Sequence, residues 1–398
     1  MNQLLVQTGL HRLLAGERPE LRDLPAGLIL HPASVTPALG GYMDVPVGGA
    51  EALLAAEFKV RALFGPQHGF LGEKQDNMIE SGHGTDPRTG LPVFSLYSET
   101  RKPTPEMLKG LELLFFDLQD VGVRVYTFVW TMTLAMEACA EAGTRFVVLD
   151  RPNPIGGTAV EGAMLREEYR SFVGLHPIPL RHHLTAGELA RYLNETRGIG
   201  CELDVLPCRG WTRDMWFDDT GLPWVLPSPN LPTLDSCAVY PGMVLLEGTN
   251  LSEGRGTTRP FEIFGAPYLD AYALTDYLED RRLPGVRFRP MGFEPTFQKH
   301  AGRLCQGAQI HVVDRDAFRP VRTAVEILSA VRTLYPEEFA WRPPPYEYEE
   351  TLMPIDILWG HDGLRRSIGS GRGAEEILAP TAAETEAFRR AAAPYLLY

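Results

Sequence analysis

The side chains best suited to chemistry in this chain gather in a few polar clusters. The first is Gly65-Pro66-Gln67-His68-Gly69-Phe70-Leu71-Gly72-Glu73. His68 and Glu73 are proton donors or acceptors, and the glycines let the backbone come close to a ligand. The second holds Asp117 and Asp120 with Arg124 and Tyr126. Two neighbouring carboxyls divide acid and base work when their surroundings separate their pKa values. Asp120 paired with Arg124 would instead only fix the loop. The third is Asp150-Arg151-Pro152-Asn153-Pro154-Ile155-Gly156-Gly157. Its prolines stiffen it, and Arg151 and Asn153 offer donors for sugar hydroxyls, an acetamido group or a carboxylate. A rigid turn explains the same residues almost as well.

Two later stretches add candidates. Leu226-Pro227-Ser228-Pro229-Asn230-Leu231-Pro232 is stiff and extended. The run Leu246 to Thr258 packs Glu247, Asn250 and Arg255 among glycines and hydroxyls without periodicity. A loop folded over a polar ligand needs such a composition. His182-His183 is a weaker signal, because adjacent side chains in a strand point to opposite faces and those on a helix do not face one another. The chain has neither a phosphate-binding Walker loop nor a Gly-x-Ser-x-Gly elbow. Gly369-Ser370-Gly371-Arg372-Gly373 has no strand signal before it and is discounted as a dinucleotide site.

Four short apolar runs lead into the early clusters: Gly27 to Leu30, Val60 to Phe64, Leu113 to Phe116 and Phe146 to Leu149. Such runs, separated by helical stretches, read as buried parallel strands. Helices are expected from Gly49 to Phe58, from Thr104-Pro105-Glu106 to Gly110, from Val129 to Ala142, and from the capping box at Thr185 to about Asn194. Cys201 to Leu206 reads as a further strand. This alternation predicts an α/β, Rossmann-like fold with a mostly parallel, doubly wound sheet. Ligands in such sheets bind beyond the carboxyl ends of the strands, where the polar clusters fall. Residues 211 to 268 carry little periodicity and read as functional or as a junction. Val286 to Arg289 and Ala308 to Val313 then read as strands. A helical face runs from Val321 to Leu334. We therefore expect domains at 1–232 and 233–398, the second a smaller α+β unit contributing to the cleft.

The 398-residue length suits two domains. A net charge of -13 opposes a nucleic-acid-binding role. No window is long and apolar enough to span a membrane, and no basic, then apolar leader begins the chain. The five cysteines are widely spaced and suggest reduced thiols. The expectation is a cytoplasmic protein.

Taken together the strings resemble one family. Phe64-Gly65-Pro66-x-His68-Gly69, Asp117-x-Gln119-Asp120-Val121-Gly122-x-Arg124-x-Tyr126-Thr127 and Asp150 to Gly157 occur in order. Pro227-Ser228-Pro229-Asn230, Glu247-Gly248-Thr249-Asn250 and Gly254-Arg255-Gly256-Thr257 with Pro260-Phe261-Glu262 follow. The chain is similar to the exo-β-N-acetylmuramidase (NamZ-like) family, long catalogued as a domain of unknown function. The resemblance implies a Rossmann-like catalytic domain, a smaller C-terminal domain and a cleft. It implies release of N-acetylmuramic acid from the non-reducing end of peptidoglycan fragments. Family members often carry a presumed catalytic Glu where this chain has Gln67. An amide is neither a general acid nor a carboxylate nucleophile, so Glu73, Asp120 or Glu80 would have to replace it, or the chemistry differs.

On this reading Glu73 or Asp120 does acid/base work, with His68 beside them, and Gln67 orients a 2-acetamido group that itself attacks the anomeric carbon. Arg151, Asn153 and Arg255 would take the lactyl carboxylate and acetamido group, a guanidinium fork being the natural carboxylate partner. Asp117, Arg124, Tyr126, Asn230, Glu247 and Asn250 complete the expected substrate contacts. No metal or organic cofactor is needed. Two alternatives stand beside it. One is a metal-dependent hydrolase with Asp117, Asp120, Asp150 and His68 as ligands; the other is an amino-sugar-binding protein without catalysis.

Overall fold

The structure is a computed structural model that describes residues 6–36, 46–75 and 79–398. Most of the residues on which the leader expectation rests lie outside this range. The apolar runs form strands β1 (Ala26–Leu30), β2 (Val60–Gly65), β5 (Leu113–Asp117) and β6 (Arg145–Leu149). With β3 (Gly84–Thr85), β4 (Pro92–Ser95) and β7 (Leu203–Leu206) they make a seven-stranded sheet ordered β7-β6-β5-β1-β2-β4-β3. All pairs are parallel except β3 with β4.

Register brings the strand ends level. Ile29 pairs with Phe64 on one side and Phe116 on the other, and Phe116 with Val148. The chain builds outward from β1 in both directions, so the loops after β1, β2 and β5 meet where strand order reverses.

Alternation along each strand feeds two cores. Ile29, Phe64, Phe116 and Val148 pack toward the helices Phe128–Ala142 and Ala186–Thr196. Leu28, Leu63, Phe115 and Val147 pack toward Gly9–Leu14 and Gly49–Ala55. This is the doubly wound arrangement expected. The local stop and start signals act as their chemistry requires. Thr104 caps Met107, Thr185 and Glu188 form a reciprocal capping box, and Gly143 ends its helix in the left-handed region at φ 67°.

Beyond residue 211 the sequence reading needs correction. The stretch read as irregular contains a helix, Leu234–Met243, and a strand, Ile263–Ala266. That strand joins Cys305–Val312 and Val286–Phe293 in an antiparallel sheet. The helix Pro320–Leu334 packs on Leu234–Met243, and the core of the first helical face continues without a break into this region. At the crossing Gly242 touches backbone: a Cβ there would lie 1.9 Å from Pro320 O.

Gly242→Ala should therefore cost about 1–3 kcal/mol or more of stability, since the atom it meets is main chain and cannot step aside. Urea unfolding checks this; a wild-type midpoint would show that the helices are not packed so closely.

Candidate active site

At the carboxyl edge of the sheet lies a small cleft lined by polar and aromatic side chains. The loop after β2 supplies Gln67 and His68, the loop after β5 supplies Val125, Tyr126 and Thr127, and the C-terminal half supplies Tyr240, Glu247, Arg255, Phe261, Tyr346 and Glu347.

His68 adopts φ 76°, the left-handed region a side chain enters only under constraint. Its Nδ1 lies 3.0 Å from Lys74 O. A carbonyl only accepts, so Nδ1 carries the hydrogen and Nε2 keeps its lone pair. Burial, together with the nearby Arg255, pulls its pKa down to about 4, so the ring is neutral at pH 7. Gln67 is held at both ends of its amide. Thr127 Oγ1 donates to Oε1 at 2.6 Å, and Nε2 donates to the Tyr97 hydroxyl at 3.1 Å. That hydroxyl in turn donates to Glu347 Oε2 at 3.1 Å.

Charge in the cleft centres on a buried ion network. Arg255 Nη2 donates to Glu247 Oε1 at 2.8 Å, and Arg255 Nε lies 3.4 Å from Glu253 Oε1. Tyr346 donates to Glu247 Oε2 at 2.8 Å, and Lys299 Nζ sits 2.7 Å from Glu253 Oε2. Burial pushes the Glu247 carboxyl up, but Arg255, Tyr346 and Lys299 outweigh it and hold it below the ordinary range. Arg255 Nη1 is buried with no hydrogen-bond partner among the described residues. Its guanidinium also stacks on Phe261, 5.1 Å from the ring centre.

The two halves of the chain match, in order, the N-terminal and C-terminal patterns of exo-β-N-acetylmuramidase NamZ, over residues 26–235 and 238–398. The chain belongs to the exo-β-N-acetylmuramidase NamZ family. It is 46% identical to the peptidoglycan β-N-acetylmuramidase NamZ of Bacillus subtilis (strain 168) over 393 residues, 99% of this chain and 91% of that protein. Among solved structures it is similar to a DUF1343 family protein of Bacteroides fragilis NCTC 9343, with TM-score 0.88 and 34% identity over the full length of both chains. A second such protein from the same organism gives TM-score 0.77 and 29% identity, covering 99% of each chain.

The expected site residues divide into those that line this cleft and those that build its walls. Gln67, His68, Tyr126, Glu247 and Arg255 line it. Asn230 lies alongside and donates to Gln75 O at 2.6 Å, tying down the loop after β2. Glu73 is half-exposed beside Lys74 and, with Glu80, borders a separate surface depression. Asp120 is buried outside the lining, accepting from Gly122 N at 2.8 Å, with Tyr126, Cys237 and His182 around it. Burial pushes its pKa up to about 7.

Other expected substrate contacts face partners of their own. Arg151 grips Asp117 through two bonds of 2.7 and 3.0 Å, both side chains buried. Arg124 meets the Ala163, Ile178 and Leu358 carbonyls rather than Asp120. Asn153 donates to Leu184 O at 3.1 Å and abuts Gly122, where a Cβ would come within 2.6 Å of its Oδ1. Asn250 bridges Glu338 O and the Tyr268 hydroxyl. Asp150 accepts from Thr185, Gly187 and the Tyr398 hydroxyl. The residues of the metal reading therefore do not converge, and no three His, Cys, Asp or Glu side chains among the described residues are placed to hold a metal.

Sequence reasoning missed Tyr97, Tyr240, Tyr346 and Glu347. The signal available was Tyr346-Glu347-Tyr348 directly after Pro343-Pro344-Pro345, aromatic and acidic residues behind a stiff segment.

Two outcomes test these placements. Asp117→Asn should cost about 3–5 kcal/mol, because it leaves Arg151 buried without its counter-charge; denaturation showing wild-type stability would contradict the pairing. Asp120 has a folded pKa raised from 3.8 to about 7, so its contribution to stability is lost as pH rises between these values. Asp120→Asn should thus gain on wild type from pH 4 to above 7, and a pH-independent difference in unfolding free energy would refute this.

Proposed function

We propose that this chain is an exo-acting glycosidase that releases N-acetylmuramic acid from the non-reducing end of peptidoglycan fragments. The observation that carries the reading, beyond family membership, is the arrangement of Arg255. A guanidinium whose Nε and Nη1 make no hydrogen bond among the described residues, Nε lying 3.4 Å from Glu253, sits beside an ionised carboxylate in a polar cleft.

Each feature fits a part of the substrate. The lactyl ether gives N-acetylmuramic acid a carboxylate that N-acetylglucosamine lacks. Among the described residues Arg255 Nη1 makes no hydrogen bond, and a substrate carboxylate satisfies it with a charge-assisted bond. Gln67 has a second amide hydrogen beyond the one given to Tyr97, suited to the acetamido oxygen. His68, neutral, offers a lone pair to a sugar hydroxyl. Glu247 stays ionised at neutral pH and faces positive charge developing at the anomeric carbon, the demand of an oxocarbenium-like transition state. Preorganised charge of this kind, kept from water, stabilises a transition state without reorganising.

The wild-type protein should hydrolyse 4-nitrophenyl β-N-acetylmuramide about 10- to 150-fold faster, in kcat/KM, than the matching N-acetylglucosaminide, the worth of one hydrogen bond to a charged group. Arg255→Lys, which keeps a cation between Glu247 and Glu253, should narrow that gap. No release from the muramide, or equal cleavage of both sugars, would overturn the reading.

A further inference from the structure

The cleft holds a second carboxyl that the resemblance did not bring forward. Glu347 lines it together with Glu247, and Tyr240 and Tyr346 sit close enough to both that each carboxylate raises their pKa, after burial. These are the carboxyl groups among the described lining residues. Glu247 is already committed as a carboxylate, with both oxygens held, by Arg255 and by Tyr346.

Glu347 reaches the cleft on a short hairpin that closes through reciprocal backbone bonds between Tyr346 and Glu349. Glu347 and Tyr348 both take left-handed φ values, 47° and 65°. Consecutive non-glycine residues hold that conformation only where surrounding contacts impose it. Those contacts are present. Tyr346 is tied to Glu247, Tyr97 to Glu347, and the Arg101 guanidinium stacks on both the Tyr97 and Tyr348 rings, 4.1 and 4.8 Å from their centres. The hairpin thus turns an otherwise exposed acid, from the far end of the sequence, into a buried side chain at the site.

We infer that Glu347 is the general acid of this glycosidase, positioned by Tyr97. The inference rests on the muramidase reading above. In the step, the carboxyl proton passes to the glycosidic oxygen as the C1–O bond breaks, and the bonding electron pair stays on that oxygen. The departing saccharide leaves as an alcohol, and the cation left at C1 faces Glu247. Water then adds to C1, and the proton it sheds restores the carboxyl. The Gln67 amide holds the Tyr97 hydroxyl from the other side and so takes part in positioning. This accounts for an amide at a place where an acid is expected.

A general acid matters in proportion to the basicity of the leaving group, which separates it from a structural residue. Glu347→Gln should slow cleavage of a muramic acid–glucosamine disaccharide by about 10^2- to 10^4-fold. It should slow the 4-nitrophenyl muramide far less, because nitrophenolate leaves without a proton. Wild type should show an alkaline fall in kcat/KM on the disaccharide and not on the nitrophenyl glycoside, a readout that needs no variant to fold. Tyr97→Phe should move that alkaline limb while changing KM little. Equal losses on both substrates in Glu347→Gln, or a wild-type disaccharide profile without an alkaline limb, would overturn the assignment while leaving muramidase activity intact. Wild-type inactivity on both substrates would remove the muramidase reading, and this assignment with it.

Discussion

The site depends on one buried guanidinium. Arg255 is drawn out of water between Glu247 and Glu253, with Lys299 behind Glu253 and Phe261 against its plane. Desolvating these charges is costly, and only close mutual pairing offsets it. That requirement folds the loop 247–255 back on itself. It also reaches Tyr346, whose hydroxyl completes Glu247 and sets the hairpin bearing Glu347. Nη1, which makes no hydrogen bond among the described residues, is then the place where a ligand's negative charge is worth most.

The parallel sheet supplies the opposite wall by a different principle. Level strand ends bring the loops after β1, β2 and β5 to one edge, and buried bonds between those loops keep them there. Asp117 and Arg151 join the ends of β5 and β6, and Arg124 spans carbonyls from residues 163, 178 and 358. These charged residues do the work of a frame. Within that frame Gln67 and His68 are oriented by their own bonds to Thr127, Tyr97 and Lys74.

Much of the fold was legible because its signals are local. Apolar runs, the Thr185 capping box, the Thr104-Pro105 start and the Gly143 stop each depend on residues within one turn. The helix Leu234–Met243 was not, since it is buried along most of its length and carries Pro241, so no polar stripe marks its period. The site was legible only in part. Composition at a strand end shows that polar groups meet there but not which of them face one another. Arg151 and Asn153 have the chemistry of sugar-binding residues, and their partners lie more than thirty residues away in Asp117 and Leu184. Glu347 acts at a distance of 250 residues from Tyr97, beyond any spacing argument.

The most direct measurement is a crystal structure of the protein with N-acetylmuramic acid bound. The sugar should lie in the cleft, its lactyl carboxylate on Arg255 Nη1 and its anomeric carbon between Glu247 and Glu347. A sugar seated instead in the depression bordered by Phe70, Glu73 and Glu80, with the Arg255 cleft empty, would contradict it.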